Sequence, residues 1–271
     1  MHVPSPCREN PVVVTEPVRS GRFGRGIEVH NLPLERCSYA CVYCGHVPRA
    51  HHRIRRRSFL PAHRLVRAVE ETLRRCDRAG ERVDHVVIAP DGEPTLDVSL
   101  GTTLRLLGSL GVPLAVVTNG SLLWQTDVRS ALSEADLVSV RIDAVEPERW
   151  RRSNRPVRQL RLPTILEGMA AFAREFDGEL WTESTLVEGI NDDPAGLRML
   201  ARFVGSLAPS RAFLSVPTTP PAPRHVHGPS DAVLEGARLA FQRHAVAVEM
   251  PVAVHAAAGP ETLLRPTVFD P

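Results

Sequence analysis

The sequence predicts an α/β fold, a partial (incomplete) TIM barrel of six β-α units, (β/α)6. Three observations carry this. Short apolar, β-branched runs recur along the chain, helical stripes of period 3.6 separate them, and polar residues collect directly after the runs. In parallel α/β sheets that rim, at the strands' C-terminal ends, is where function gathers. A closed barrel of this kind needs eight units, so six leave it open.

The candidate strands are 26–31, 83–89, 112–118, 136–142, 179–187 and 211–217. Helix 61–79 opens near Pro61, carries the stripe Leu65, Val69, Leu73 and Cys76, and stops at Gly80. Stretch 164–176 places Ile165, Met169, Phe172 and Phe176 on one helical face. Asp193-Pro194 is an N-cap followed by proline at the first helical position, leading the stripe Leu197, Leu200, Phe203, Val204 and Leu207. Strands joined through helices run parallel with right-handed crossovers. No linker or low-complexity segment divides the 271 residues, a length that one barrel domain uses. We expect a core at 26–244, an N-terminal extension at 1–25 and a C-terminal extension at 245–271, both extensions Pro-rich and without a readable pattern.

Composition narrows the setting. No secretory apolar region opens the chain, where Pro4, Arg8 and Glu9 intervene, and no apolar run reaches the roughly 18 residues of a membrane span. A cytoplasmic, reducing setting and no membrane partner are expected. The net charge is +2, and all 33 basic residues are arginine, so neither a Schiff base nor a lysine general base is available. A pI near 8.4 and few aromatics make nucleic acid a less favoured partner.

The first strand leads into Cys37, Cys41 and Cys44 with the spacing CxxxCxxC, and the motif holds both tyrosines of the chain, Tyr39 and Tyr43. Structural zinc would need a fourth ligand, for which His46 is available, though zinc ligands usually come as two separated pairs. Five cysteines form an odd, sparse set for a disulfide framework. A [4Fe–4S] cluster takes one terminal ligand per iron, and three cysteines leave one iron open. That reading is favoured on spacing, with the other two open beside it. Cys76 belongs to a buried helical face, and Cys7 has no partner pattern.

Each remaining strand delivers polar residues to the same rim. Asp91-Gly92-Glu93-Pro94-Thr95 follows the second, Thr118-Asn119-Gly120-Ser121 the third, and Ser139, Arg141 and Asp143 lie on the fourth. Glu183 sits on the fifth, which ends near Glu188, Gly189 and Asn191, and the sixth ends at Thr218 and Thr219. Whether Glu183 faces the lumen depends on register, and a lumen-facing Arg141 is its natural partner there. Asn154-Arg155-Pro156 either covers the site or ends a helix, with the structural role preferred. Arg49, Arg53, Arg55, Arg56 and Arg57, with His51 and His52, form a basic run: solvated surface, a dock for an acidic reductant, a grip on substrate phosphate, or an RNA contact.

With these motifs the chain resembles the radical S-adenosylmethionine (SAM) superfamily, from about Gly24 to Phe241. The resemblance rests on CxxxCxxC with Tyr43 before its last cysteine, and on the segments Gly92–Leu96, Thr118–Leu123, Asn154–Pro156 and Leu186–Asp192. It is closest to a bacterial and archaeal subgroup similar to the wyosine-synthase-like, tRNA-modifying enzymes. The resemblance implies that Cys37, Cys41 and Cys44 ligate a [4Fe–4S] cluster whose open iron binds SAM. It implies reductive cleavage to methionine and a 5′-deoxyadenosyl radical that takes hydrogen from a substrate, with flavodoxin or ferredoxin as reductant. Gly92 and Glu93 match the family's Gly-Gly-Glu contact to the SAM ammonium, although Asp91 replaces its first glycine. Asn119 and Ser121 are then candidates for the SAM carboxylate or ribose, and Ser139, Arg141 and Asp143 for ribose or substrate. The expected substrate is a small molecule, phosphorylated or nucleotide-like. Alternatives are the same chemistry on tRNA or on a glycyl-radical enzyme, and a non-enzymatic zinc or electron-transfer protein. Neither a cobalamin domain nor ligands for a second cluster are visible.

Overall fold

The computed structural model describes residues 13–32, 36–44, 54–88, 92–218, 225–244 and 246–250. Nine strands form one sheet among them: β1 (Val13–Val14), β2 (Val18–Ser20), β3 (Gly24–His30), β4 (His85–Ile88), β5 (Leu114–Thr118), β6 (Leu137–Arg141), β7 (Glu179–Thr185), β8 (Arg211–Ser215) and β9 (Val248–Glu249). The order is β1-β3-β4-β5-β6-β7-β8-β9, with β2 also on β3. Strands β3 to β9 pair in parallel, and β1 and β2 run antiparallel to β3. The sheet ends at β1 and β9 rather than closing, so the fold is the partial TIM barrel that six β-α repeats predict.

The seven helices are α1 (Ala62–Arg78), α2 (Leu100–Gly108), α3 (Thr126–Leu132), α4 (Pro147–Asn154), α5 (Leu162–Glu175), α6 (Pro194–Ser206) and α7 (Asp231–Gln242). Their ends follow from local chemistry. Beyond the α1 C-cap, Gly80 adopts φ +68°, a conformation that costs glycine little, and its N–H donates to the Asp77 carbonyl. At the start of α6, the Asp193 carboxylate accepts from the Gly196 N–H at 3.0 Å, while Pro194 occupies a position whose N–H would have no helical partner. No helix among the described residues is long and apolar enough to cross a membrane.

Strand parity sorts the core into two. Ile27, Val29, Val86, Ile88, Val116, Val138 and Leu214 lie in the large cluster with helix residues such as Leu65, Leu104 and Leu200. Their alternates Val87, Ala115, Val117, Leu137, Trp181 and Phe213 gather on the opposite, inner face of the curl with Phe23. Phe23 immediately precedes β3, stacks on Trp181 at 5.5 Å between centroids, and Trp181 meets Phe213 at 5.3 Å. These rings close the lumen at the N-terminal ends of the strands. Burying each stabilises the fold by about 1.5–3 kcal/mol.

The flanks, unreadable as sequence, thus join the sheet. β1 and β2 cover the outer edge of β3, β9 extends the far edge, and Arg22 and Phe23 plug the floor. An uncovered β3 would present unpaired backbone groups, which such short antiparallel strands satisfy.

Candidate active site

The cysteine loop follows β3 and folds by inserting its intervening residues into the core. Tyr39, Ala40, Val42 and Tyr43 are buried, whereas Cys37, Cys41 and Cys44 are half-buried. Tyr39 packs edge-on against Trp150 and its hydroxyl accepts from Trp150 Nε1 at 3.1 Å. The end of α4 splints the loop: Ala40 N–H donates to the Asn154 carbonyl at 2.9 Å, Val42 N–H to Ser153 at 2.9 Å, and Val157 N–H to the Ser38 carbonyl at 3.1 Å.

Two side-chain amides reach the sulfurs. Asn119 Nδ2 lies 3.5 Å from Cys37 Sγ, and Asn154 Nδ2 lies 3.4 Å from Cys41 Sγ. N–H donors of this kind favour thiolate over thiol. Burial, then the proximity of Cys41 and Glu93, pushes the Cys37 thiol well up, and burial followed by Asp143 pushes Cys41 up to about 12. Both cysteines therefore hold their protons until a cation displaces them. All three are free of disulfides. Among the described residues no three acidic, histidine or cysteine side chains converge on a single metal ion. A cubane cluster asks for something else, one sulfur on each of three irons, so three free cysteines on one short loop fit it.

Glu93 ties this loop to the next two. Its N–H donates to the Arg36 carbonyl at 2.8 Å. Its carboxylate accepts from Thr95 N–H at 3.1 Å, Thr95 Oγ1 at 2.5 Å, Thr118 Oγ1 at 2.7 Å and, through Oε2, Asn119 N–H at 2.8 Å. Burial raises its pKa against those four donors. Gly92 is there for space, because a Cβ would lie 2.5 Å from the Arg36 carbonyl oxygen. Ser121 is fully buried, with its hydroxyl 2.7 Å from Ser38 Oγ, which also accepts from Asn119 Nδ2 at 2.9 Å. Asn119 and Ser121 thus brace the cysteine loop directly.

On the other side, Asp143 is a buried hub. Its carboxylate accepts from the Tyr43 hydroxyl, from Asn154 Nδ2 at 2.5 Å and from Thr185 N–H at 2.8 Å, and burial raises its pKa despite these donors and Arg141. Arg141 lies over the Tyr43 ring, 5.7 Å from its centroid, and pairs with Glu183 at 3.0 Å. Glu183 therefore faces the lumen, where Arg22 reaches the same carboxylate at 3.0 Å and Ser215 Oγ donates to its other oxygen. Burial disfavours its charge, but Arg141 and Arg22 outweigh that and take its pKa down to about 2. Ser139 is fully buried on β6, and its hydroxyl has no hydrogen-bond partner.

Two groups carry more than sequence reasoning gave them. Asn154 is more than a helix end, since it holds both Cys41 and Asp143; its polar amide in the Asn154-Arg155-Pro156 segment was the available signal. Arg22 had none, lying in a turn outside every periodic element. The basic run is partly structural. Arg56 donates to the Thr95 and Asp97 carbonyls and pairs with Asp127, while Arg57 bonds across to Leu96 and Val98 and covers Phe59. Both brace the segment after Glu93. His46, Arg49, His51, His52, Arg53, Asp91, Thr219 and Cys7 lie outside the described residues.

Comparison with known proteins places this arrangement. The chain is 35% identical over 218 residues to a UPF0026 protein of Methanocaldococcus jannaschii, spanning 80% of this chain and 67% of that protein. It is 33% identical over 215 residues to a UPF0026 protein of Synechocystis sp., covering 78% of each. In three dimensions it is similar to a radical SAM methyltransferase from Sphaerobacter thermophilus (TM-score 0.61, 15% identity, 89% of this chain and 76% of that one). It is also similar to TYW1 with a lysine-pyruvate adduct bound (TM-score 0.59, 18% identity, 80% and 73%). At such identities these two speak to the fold alone. Residues 31–199, which run from the end of β3 into α6 and include all three cysteines, match the family model of the Radical SAM superfamily, and the chain belongs to that superfamily.

Proposed function

We propose that Cys37, Cys41 and Cys44 hold a [4Fe–4S] cluster at which SAM is cleaved reductively, and that the product radical takes a hydrogen atom from a small molecule in the lumen. The observation that carries this is the cysteine loop itself: three unbridged, half-buried cysteines on one short loop, two of their sulfurs met by amide N–H groups. When bound, the cluster supplies one electron to the SAM sulfonium, yielding methionine and a 5′-deoxyadenosyl radical.

The chain's own residues position and exclude. Asn119 and Asn154 orient the sulfurs by hydrogen bonds from a fixed scaffold, since Glu93 holds the Asn119 backbone and Asp143 holds the Asn154 amide. Glu93 Oε2 accepts one hydrogen bond and retains a lone pair for an ammonium. The aromatic floor of Phe23, Trp181 and Phe213 keeps water from entering beneath, and a radical needs that exclusion. Above it, Arg22, Arg141 and Glu183 give the lumen a charged wall suited to a small polar substrate. Superfamily membership supports the reaction class, while the substrate and reductant are assignments of this proposal.

Anaerobic reconstitution with iron and sulfide should give a broad charge-transfer absorbance, and dithionite should then convert SAM to 5′-deoxyadenosine. Cys37→Ala should do neither. Protein that shows no cluster absorbance and no SAM cleavage after reconstitution would overturn the proposal. Deuterium carried into 5′-deoxyadenosine from a labelled metabolite, rather than from tRNA or a partner protein, identifies the substrate class.

A further inference from the structure

We propose that an arginine-lined groove behind the cysteine loop docks an acidic one-electron carrier protein; this rests on the reading above. The groove, about 380 Å³, is lined by Arg151, Arg155, Arg158 and Arg161 around Trp150. All four arginines are exposed, and none forms an ion pair among the described residues. Their neighbours differ: Arg149 pairs with Glu146 and Asp193, and Arg152 donates to the Gly189 carbonyl. The positive charge of the groove is therefore free to meet a partner.

Its position makes that charge useful. The groove wall is the segment that splints the cysteine loop, with the Asn154 carbonyl on Ala40 N–H and the Asn154 amide on Cys41 Sγ at 3.4 Å. Arg155, next in sequence, lines the groove, so one residue separates its surface from a cluster ligand. Arg155 also holds the left-handed conformation (φ +44°) that glycine fills most readily. An arginine kept there at a conformational cost points to use of its charge.

An acidic protein fits better than RNA. Trp150 is buried with its Nε1 on the Tyr39 hydroxyl, so the groove offers no stacking surface for bases. Four clustered guanidiniums suit weak, electrostatically steered docking of the kind redox partners use.

The experiment is stopped-flow reduction of the reconstituted protein by reduced flavodoxin and, separately, reduced ferredoxin, at low and high ionic strength. Arg151→Glu/Arg158→Glu/Arg161→Glu should slow reduction by on the order of tenfold at low salt, with the difference fading at high salt. Binding of oxidised carrier, followed by interferometry, should weaken in parallel. Reduction by dithionite should stay unchanged in the same variant. Arg155→Gly, which relieves the left-handed backbone, should slow carrier reduction by a few-fold without lowering thermal stability. Equal carrier rates in parent and variants, or a parent that neither carrier reduces in a salt-dependent way, would overturn the proposal. So would weaker binding of bulk tRNA by the variants with carrier rates intact. A parent without dithionite-driven SAM cleavage would instead remove the underlying radical SAM reading.

Discussion

Replacing Glu183 by glutamine removes the one carboxylate that two lumen guanidiniums share. Arg141 and Arg22 each lie 3.0 Å from its Oε2 and hold its pKa near 2 against a reference of 4.5. A depressed carboxylate stabilises the fold fully above its unfolded pKa, and that contribution is lost as pH falls through the folded pKa. The shift of about 2.5 units corresponds to about 3 kcal/mol at pH 7. Removing one partner of a buried pair gives a similar figure, because the remaining cations stay partly desolvated. At roughly 2–4 °C per kcal/mol for a chain of this size, Glu183→Gln should lower Tm by about 6–12 °C at pH 7. Denaturation followed by circular dichroism at several pH values is the assay. The gap between parent and variant should be constant above pH 4.5 and narrow steadily towards pH 2, because only the parent carries this depressed carboxyl to protonate. A gap under about 1 kcal/mol at pH 7, or one that does not narrow in acid, would refute the reasoning. Arg141→Met in both backgrounds completes a double-mutant cycle, and its coupling should account for more than half of the loss.

Asn154→Ala removes a donor from both Asp143 and Cys41 and should cost about 1–3 kcal/mol, with iron per protein after anaerobic desalting falling below that of the parent. Gly92→Ala places a Cβ 2.5 Å from backbone at Arg36; it should destabilise by about 1–3 kcal/mol and speed hydrogen exchange at the Glu93 amide. Phe23→Ala empties the lumen floor beside Trp181 and should lower stability by about 3–5 kcal/mol, with iron content after reconstitution unchanged because the cysteine loop lies at the other end of the strands.

Much of the architecture is local and was therefore legible. The runs that became β4 and β5 are apolar on both faces, Val86, Ile88 and Val116 towards the helices and Val87, Ala115 and Val117 towards the lumen, as a parallel sheet with helices outside and a packed lumen requires. Gly80 and Asp193-Pro194 mark helix ends because their backbone preferences act within a few residues. CxxxCxxC is likewise a short-range pattern, and it singled out Cys37, Cys41 and Cys44 before any fold was known. By itself the sequence determined the fold class, and it singled out one rim of polar residues and three cysteines as the candidate site.

Long-range pairing decided the rest. Nothing local tells Arg22 that it meets Glu183, 161 residues away, or that a two-residue β1 will cover the edge of β3. Glu93, Asn119 and Ser121 were read as a ligand-facing set, and the tertiary structure also makes them the braces of the cysteine loop. Asn154 could be seen as a helix terminus but not as a hydrogen-bond donor to Cys41 Sγ until α4 was packed against that loop. The physical reason is directional: a hydrogen bond or ion pair needs both partners fixed to within fractions of an ångström, and only the packed core sets those positions. Periodicity reports which face of an element is buried; the partner that waits there is fixed only by the fold.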